Sequence, residues 1–194
     1  MGSGATSGIA ARRLPPGSHG IPADVVARNQ RERLVAAMAE VCAERGYARA
    51  SVAEIAKRAG VSSVTFYKQF AGKRDCMLAA HRQLLGRLLE EVDRARGEEG
   101  TAGAKARAAI RTALALFTAD APSARLLTVE ILAAGPEGAK RHDAIVEAFA
   151  ERLGTDWVRA AGLLTLVGKL AIAGEAARLP ELEDELVATV LSQS

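Results

Sequence analysis

The chain has 194 residues, 49% apolar but only 4% aromatic, and a formal charge of +3 from 26 Lys and Arg against 23 Asp and Glu. Residues 1–75 hold 12 of the basic and 6 of the acidic side chains, so the net +6 of that end leaves −3 on the rest, the asymmetry of a chain whose N-terminal part meets an anionic partner. Cys42 and Cys76 without CxxC spacing, and His19, His81 and His142 scattered along the chain, argue against a zinc site, a disulfide scaffold or any cofactor.

Residues 1–21 are rich in Gly, Ser, Ala and Pro and read as a disordered arm carrying Arg12 and Arg13. They contain no apolar signal core, and no later run reaches the ~18 apolar residues of a membrane span, so a cytoplasmic location is expected. No period-2 alternation suggests a strand, and the fold expected is all-α.

A first helix opens near Pro22 and runs to Arg45, with Leu34, Val35, Met38, Val41 and Cys42 as its buried stripe. Ser51 and Glu54 form a capping box that opens a second helix at Val52, and Val52, Ile55, Ala56 and Ala59 lie on one buried stripe. Gly60 ends it in a left-handed conformation, Val61 plugs the corner, and Ser62 caps a third helix. On that helix Phe66 and Phe70 share one side, while Val64, Thr65 and Lys68 lie on the other, flanked by Tyr67 and Gln69. Two helices joined by a short Gly-containing turn make a helix-turn-helix, whose second helix enters the major groove of DNA. Hydroxyls, an amide, a phenol and an ammonium on its free face are groups that bond phosphates and base edges.

A fourth helix starts at Lys73, where Asp75 suits the positive N-terminal end, and runs to about Arg96. After the flexible Gly97–Gly103 a fifth covers about Ala104–Ala119, and Ala121-Pro122-Ser123 breaks the chain. The sixth is expected over Ser123–Ala134 and stops at Gly135-Pro136. The seventh covers about Glu137–Leu153 and stops at Gly154. Asp156 caps an eighth that runs to roughly Arg178, and after Leu179-Pro180 a ninth takes Glu181–Leu191. On the eighth, Ala161, Thr165, Gly168 and Ile172 follow one stripe; on the ninth, Leu182, Leu186 and Val190 repeat at fourfold spacing beside Val187 and Leu191. So broad an apolar face needs a partner, either the chain's own core or a second copy.

The run Arg45-Gly46-Tyr47, Glu54-Ile55-Ala56, Ala59-Gly60-Val61-Ser62, Thr65-Phe66-Tyr67 followed by Phe70, and Lys73 resembles the N-terminal domain of the TetR family of transcriptional regulators. The likeness is close over about residues 24–90 and extends to the remainder in general plan. It implies about nine helices: a three-helix DNA-binding domain at 22–72 and an effector-binding and dimerisation domain at 73–194.

By the same resemblance, Ser51 and Tyr67 grip phosphates, and Ser62, Ser63, Val64, Thr65 and Lys68 face bases or the adjacent backbone. Gln69 sits at a further contact position, and Lys73 neutralises a phosphate. Ala53, too short to reach a base, and Gly72, a weak N-cap, depart from the pattern. Arg12 and Arg13 are expected to reach the adjacent minor groove. The last two helices would pack in a two-fold bundle through Ala161, Thr165, Gly168, Ile172, Leu182, Leu186 and Val190.

An effector pocket would draw its apolar wall from Leu89, Leu116, Phe117, Leu127, Ile131, Phe149, Leu166 and Leu170, with Glu130, His142 and Lys169 as polar anchors. The expected function is a regulator, most often a repressor, that binds a palindromic operator as a dimer and is released by a small molecule. The other classes compatible with the chain are an all-helical enzyme or cofactor-binding bundle, for which no catalytic constellation is evident, and a DNA-binding regulator without a ligand.

Overall fold

The structure is a computed structural model, and it describes residues 22–191. Those residues form nine α-helices and no strand: α1 (Ala23–Arg45), α2 (Val52–Arg58), α3 (Ser63–Gln69), α4 (Lys73–Gly97), α5 (Ala102–Ala119), α6 (Ala121–Thr128), α7 (Pro136–Leu153), α8 (Trp157–Ala173) and α9 (Glu183–Leu191). Two 3-10 segments, Glu130–Ala134 and Ala176–Leu182, join α6 to α7 and α8 to α9.

Most helix ends follow from residues legible in the sequence. The capping box of α2 is complete, with Ser51 Oγ accepting from the Glu54 N–H at 3.2 Å and the Glu54 carboxylate accepting from the Ser51 N–H at 3.1 Å. Thr101 and Asp156 cap α5 and α8 with a side-chain oxygen alone, accepting from the N–H of Ala104 and Arg159. Gly72 caps α4 with no side chain, and Asp75 compensates by accepting from the Ala71 N–H at 2.9 Å.

Three expected boundaries are corrected. Ala121-Pro122 starts α6 rather than breaking the chain, because Pro suits the first helical turn and the Asp120 carboxylate accepts from the Ser123 N–H at 3.1 Å. The sixth helix ends at Thr128, and the chain reaches Ala134 as a 3-10 turn. The eighth stops at Ala173, because Gly174 takes the left-handed φ of +74° that closes a helix onto its last carbonyls. The ninth is therefore shorter, and Leu182 falls in the preceding 3-10 segment, which accommodates Pro180.

Helix α1 packs against α2 and α3 on one side and against α4 and α6 on the other. In the remainder α4 pairs with α5, α6 and α7 flank α8, and α9 lies across α5. Two ion pairs pin α9 there, Arg107–Asp184 at 2.7 Å and Arg111–Glu183 at 3.0 Å. The interior is aliphatic apart from a few rings, among them Phe117 and Phe149, stacked 6.4 Å apart.

Polar side chains buried in this interior include Thr128, Glu130 and His81. His81 on α4 is 1% exposed, and neither ring nitrogen has a hydrogen-bond partner. Burial, aided by repulsion from Arg141, pushes its pKa down from 6.5 to about 4, so the ring is neutral at physiological pH. The unfolded chain takes up this proton near pH 6.5 and the folded chain does not, so stability is complete above that pH and is lost as the pH falls toward 4. Up to roughly 3 kcal/mol is at stake. Thermal unfolding at pH 7.5 and 5.0 is expected to show a lower midpoint at the acid value, and His81→Leu is expected to remove most of that difference; an equally steep loss in the variant would assign it elsewhere.

Candidate nucleic-acid interface

The exposed face of α3 follows from how firmly its other face is anchored. Phe66 and Phe70 are buried, their rings 5.6 Å apart, and the Arg31 guanidinium covers the Phe70 ring at 4.2 Å. Arg31 also donates to the Gln69 carbonyl at 2.8 Å, and Gln69 Nε2 donates to the Ala27 carbonyl at 3.2 Å. The α2–α3 turn is held by Arg33, whose Nε donates to the Ala59 carbonyl and whose Nη2 donates to the Gly60 carbonyl, both at 2.8 Å. Gly60 has a φ of +64°, as the sharp turn requires. Three residues of α1, Ala27, Arg31 and Arg33, thus fix the angle of α3.

The face turned to solvent carries Val64, 67% exposed, and Tyr67, 60% exposed, with Ser62, Ser63 and Lys68 also exposed and Thr65 half-buried. Ser62 Oγ accepts from the Thr65 N–H and lies 3.0 Å from the Thr65 hydroxyl, so both hydroxyls brace the first turn. Lys68 makes no ion pair or hydrogen bond to the described residues, which leaves its charge to an external partner. The apolar Val64 and the phenol of Tyr67 stand on either side of Thr65 and Phe66 in sequence, so one helical face offers methyl, hydroxyl and ammonium groups together. Ser51 is exposed at the α2 N-terminus, where its hydroxyl donates to Glu54 at 2.8 Å.

Two of the expected contact residues are also engaged within the chain. Lys73 Nζ donates to the carbonyls of Tyr47, Ala48 and Ala50 at 2.8, 3.3 and 2.9 Å and lies 4.4 Å from the Tyr47 ring centre. An ammonium has three protons, and all three are used within the chain. Gln69 is half-buried and tied to α1 as described, so its Nε2 braces α3. Arg12 and Arg13 lie outside the described residues.

The residues expected to line an effector pocket and a dimer face differ in burial. Phe117, Leu127, Ile131 and Phe149 are buried and Leu170 is 9% exposed, while Leu89, Leu116, Leu166 and His142 are half-buried. Lys169 is corrected outward, exposed on α8, and Glu130 is spent on Arg125 and on the backbone of Tyr47. Gly168 does not face a partner surface, because a Cβ there would stand 2.7 Å from Val129 Cγ2 of the chain's own interior. Val190 is likewise buried within the chain, and Leu182 and Leu186 are half-buried against it.

What remains open on α8 is a stripe of Val158, Gly162, Thr165, Lys169 and Ile172, spaced alternately by four and three, with Trp157 beside it and Ala161 half-buried. Thr165 and Ile172 of this stripe are legible from their spacing, and the single tryptophan of the chain is a further signal for it. Arg31 and Arg33 carried no such signal, since their partners lie 26 or more residues away.

A cleft of about 420 Å³ between α1 and α2, lined by Val41, Glu44, Arg45, Glu54, Lys57 and Arg58, is crossed by paired charges. Arg58 holds the Glu44 carboxyl below its usual range. Among the described residues no group of His, Cys, Asp and Glu is disposed to hold a metal, and no helix is long and apolar enough to cross a membrane.

Lys73→Ala is expected to lower stability by about 2 kcal/mol, since it leaves three carbonyls of the α1–α2 turn without their cationic donor. The slope of any duplex affinity against salt is expected to stay unchanged. Urea denaturation and salt titration separate the two, and a shallower salt slope at unaltered stability would return the residue to the phosphate-contact role.

The family described as bacterial regulatory proteins, tetR family, matches residues 34–80, from the middle of α1 into α4. Among curated relatives, the fatty acid metabolism regulator protein of Bacillus subtilis is 32% identical over 88 residues, which are 45% of this chain and 45% of that one. The crystal structure of the transcriptional regulator FadR from Bacillus subtilis in complex with stearoyl-CoA shares the fold with a TM-score of 0.71 at 22% identity, over 82% of this chain and 97% of that one. A transcriptional regulator from Rhodococcus sp. RHA1 is 33% identical with a TM-score of 0.61, over 82% of this chain and 93% of that one. An exposed helix-turn-helix face, braced from α1 and matched in sequence and fold to these regulators, makes this chain a transcriptional regulator of the TetR family, with a DNA-binding helix-turn-helix in α2 and α3.

Proposed function

We propose that the protein binds a two-fold symmetric operator as a homodimer, represses from it, and is released by a long-chain acyl-CoA. The observation that carries the DNA-binding part is the α3 face on which Val64, Tyr67 and Lys68 stand exposed while Phe66 and Phe70 are buried. Residues 22–72 act as the DNA-binding head and 73–194 as the effector-binding and dimerisation part. Ser51, Ser62, Ser63, Thr65 and Tyr67 contact backbone or bases from the first turns of α2 and α3, where free N–H groups and short hydroxyls approach phosphates. Val64 offers a methyl surface to thymine, and Lys68 an ammonium to base edges or phosphate.

The dimer reading rests on the open α8 stripe, where Val158 is 74% and Ile172 51% exposed. An α-helix with apolar groups and glycine at alternate four and three spacings suits a two-fold helix pair. The effector reading rests on the stearoyl-CoA bound by the Bacillus subtilis FadR, whose fold the chain shares, and on the apolar interior enclosed by α4, α5, α6 and α7. An acyl chain is matched to aliphatic walls.

Selection of a randomised duplex pool by the full chain is expected to enrich an inverted repeat. On that duplex Tyr67→Phe should weaken binding uniformly across sequences, whereas Lys68→Ala should cost about 1–3 kcal/mol and shift base preference. Stearoyl-CoA is expected to release the duplex and coenzyme A alone to leave it bound; retention at saturating stearoyl-CoA would remove the acyl-CoA reading. Val158→Glu with Ile172→Glu is expected to give monomers in light scattering that keep their helicity and lose paired half-sites, and a dimer of unchanged mass in the double variant would place the interface elsewhere.

A further inference from the structure

Glu130 is a carboxylate only 7% exposed, at the start of the 3-10 segment after α6, and its two oxygens reach in different directions. Oε1 accepts from Arg125 Nε at 2.8 Å and pairs with Nη2 at 2.7 Å, while Oε2 accepts from the backbone N–H of Tyr47 at 2.6 Å. Arg125 in turn donates from Nη1 to the carbonyl of Ala43 at 2.7 Å. That carbonyl belongs to the last turn of α1, whose carbonyls lack helical partners and attract a cation. A buried ion pair of the α6 region therefore holds both the end of α1 and the turn that follows it.

We propose that Glu130 and Arg125 are positioning residues that set the separation between half-sites this regulator accepts. The proposal rests on the dimeric DNA-binding reading above. The grip on residues 43–47 lies four residues before Ser51, the cap of α2. Beyond it the head is internally braced, by Lys73 on the Tyr47, Ala48 and Ala50 carbonyls, by Arg33 on the α2–α3 turn and by Arg31 on the end of α3. A rotation at the grip is thus carried to α3 with little lost on the way.

Each base pair added between half-sites displaces the second one by about 3.4 Å and turns it by roughly 34°. Two heads discriminate such steps only if each is held at a fixed angle to its body. The pair supplies that angle, since Nε and Nη2 of Arg125 converge on Glu130 Oε1 while Nη1 and Oε2 each hold a backbone group of residues 43–47, which fixes direction as well as distance.

The experiment uses the full chain and the inverted repeat selected from the randomised pool, rebuilt with its spacer one and two base pairs shorter and longer, together with a duplex bearing one half-site. Glu130→Gln and the double variant Arg125→Met with Glu130→Met are compared with the parent; the apolar pair fills the space of the ion pair and guards against a simple loss of folding. The parent is expected to lose about tenfold or more in affinity per base pair of mismatch, and the variants about threefold or less, with single half-site affinity unchanged. Variants that keep the parent's spacing ratios overturn the positioning role. So does an equal loss on every spacer and on the single half-site, which a purely structural contribution gives. A parent that enriches no paired half-sites overturns the dimeric operator reading, and the positioning role with it.

Discussion

The structure depends on α1 being shared. Its apolar stripe, with Leu34, Met38 and Cys42 fully buried, closes the core of the head against α2 and α3 and also meets α4 and α6. Its polar side chains do the rest: Arg31 and Arg33 hold the far ends of α3 and α2, and its last turn is taken up by Arg125. A helix buried on two sides cannot shift for one neighbour without disturbing the other, because packed interiors deform in steps rather than continuously. The orientation of the recognition face is therefore a property of the whole N-terminal half and not of α3 alone.

Four buried or half-buried groups show how the chain treats polar side chains differently. Arg125 and a backbone N–H complete the hydrogen-bonding shell of the Glu130 carboxylate. Lys73 turns its ammonium inward to three carbonyls and the Tyr47 ring. His81 has no partner and stays neutral, and Cys42 behaves alike, its thiol pushed up to about 12 chiefly by burial. The charged groups join one part of the fold to another, Glu130 from after α6 and Lys73 from α4 both reaching the turn that follows α1. Removal of a charged partner leaves an uncompensated ion, so these junctions break at higher cost than ordinary core contacts.

The outer face of α8 is the counterpart of the α3 face. Both present aliphatic groups to water at helical spacing, and neither is covered by any other described element. On α3 the exposed groups are mixed, with an ammonium and hydroxyls among them, which suits a polar ligand with methyl groups in its groove. On α8 the set is more uniformly apolar, which suits a second protein surface.

The local signals of the sequence carried the helix-turn-helix: the capping box, Gly60, the Ser62 cap and the Phe66–Phe70 spacing act within one or two turns, and each appears in the structure where its neighbours required it. They also carried the nine-helix plan, because Gly, Pro and Asp near helix ends act on adjacent backbone groups. What the tertiary structure alone decided is where long side chains spend their polar ends. Lys73, Gln69 and Glu130 read equally well as free or committed groups in sequence, since, apart from Arg125 beside Glu130, the partners that hold them lie 23 to 83 residues away. The same holds for the apolar faces: Gly168 and Val190 repeat at helical spacing as regularly as Val158 and Ile172, but periodicity records that a face is apolar and not which neighbour covers it. Only the packing of α9 onto α5 and of α6 onto α8 separates the stripe that the chain buries itself from the stripe it leaves open.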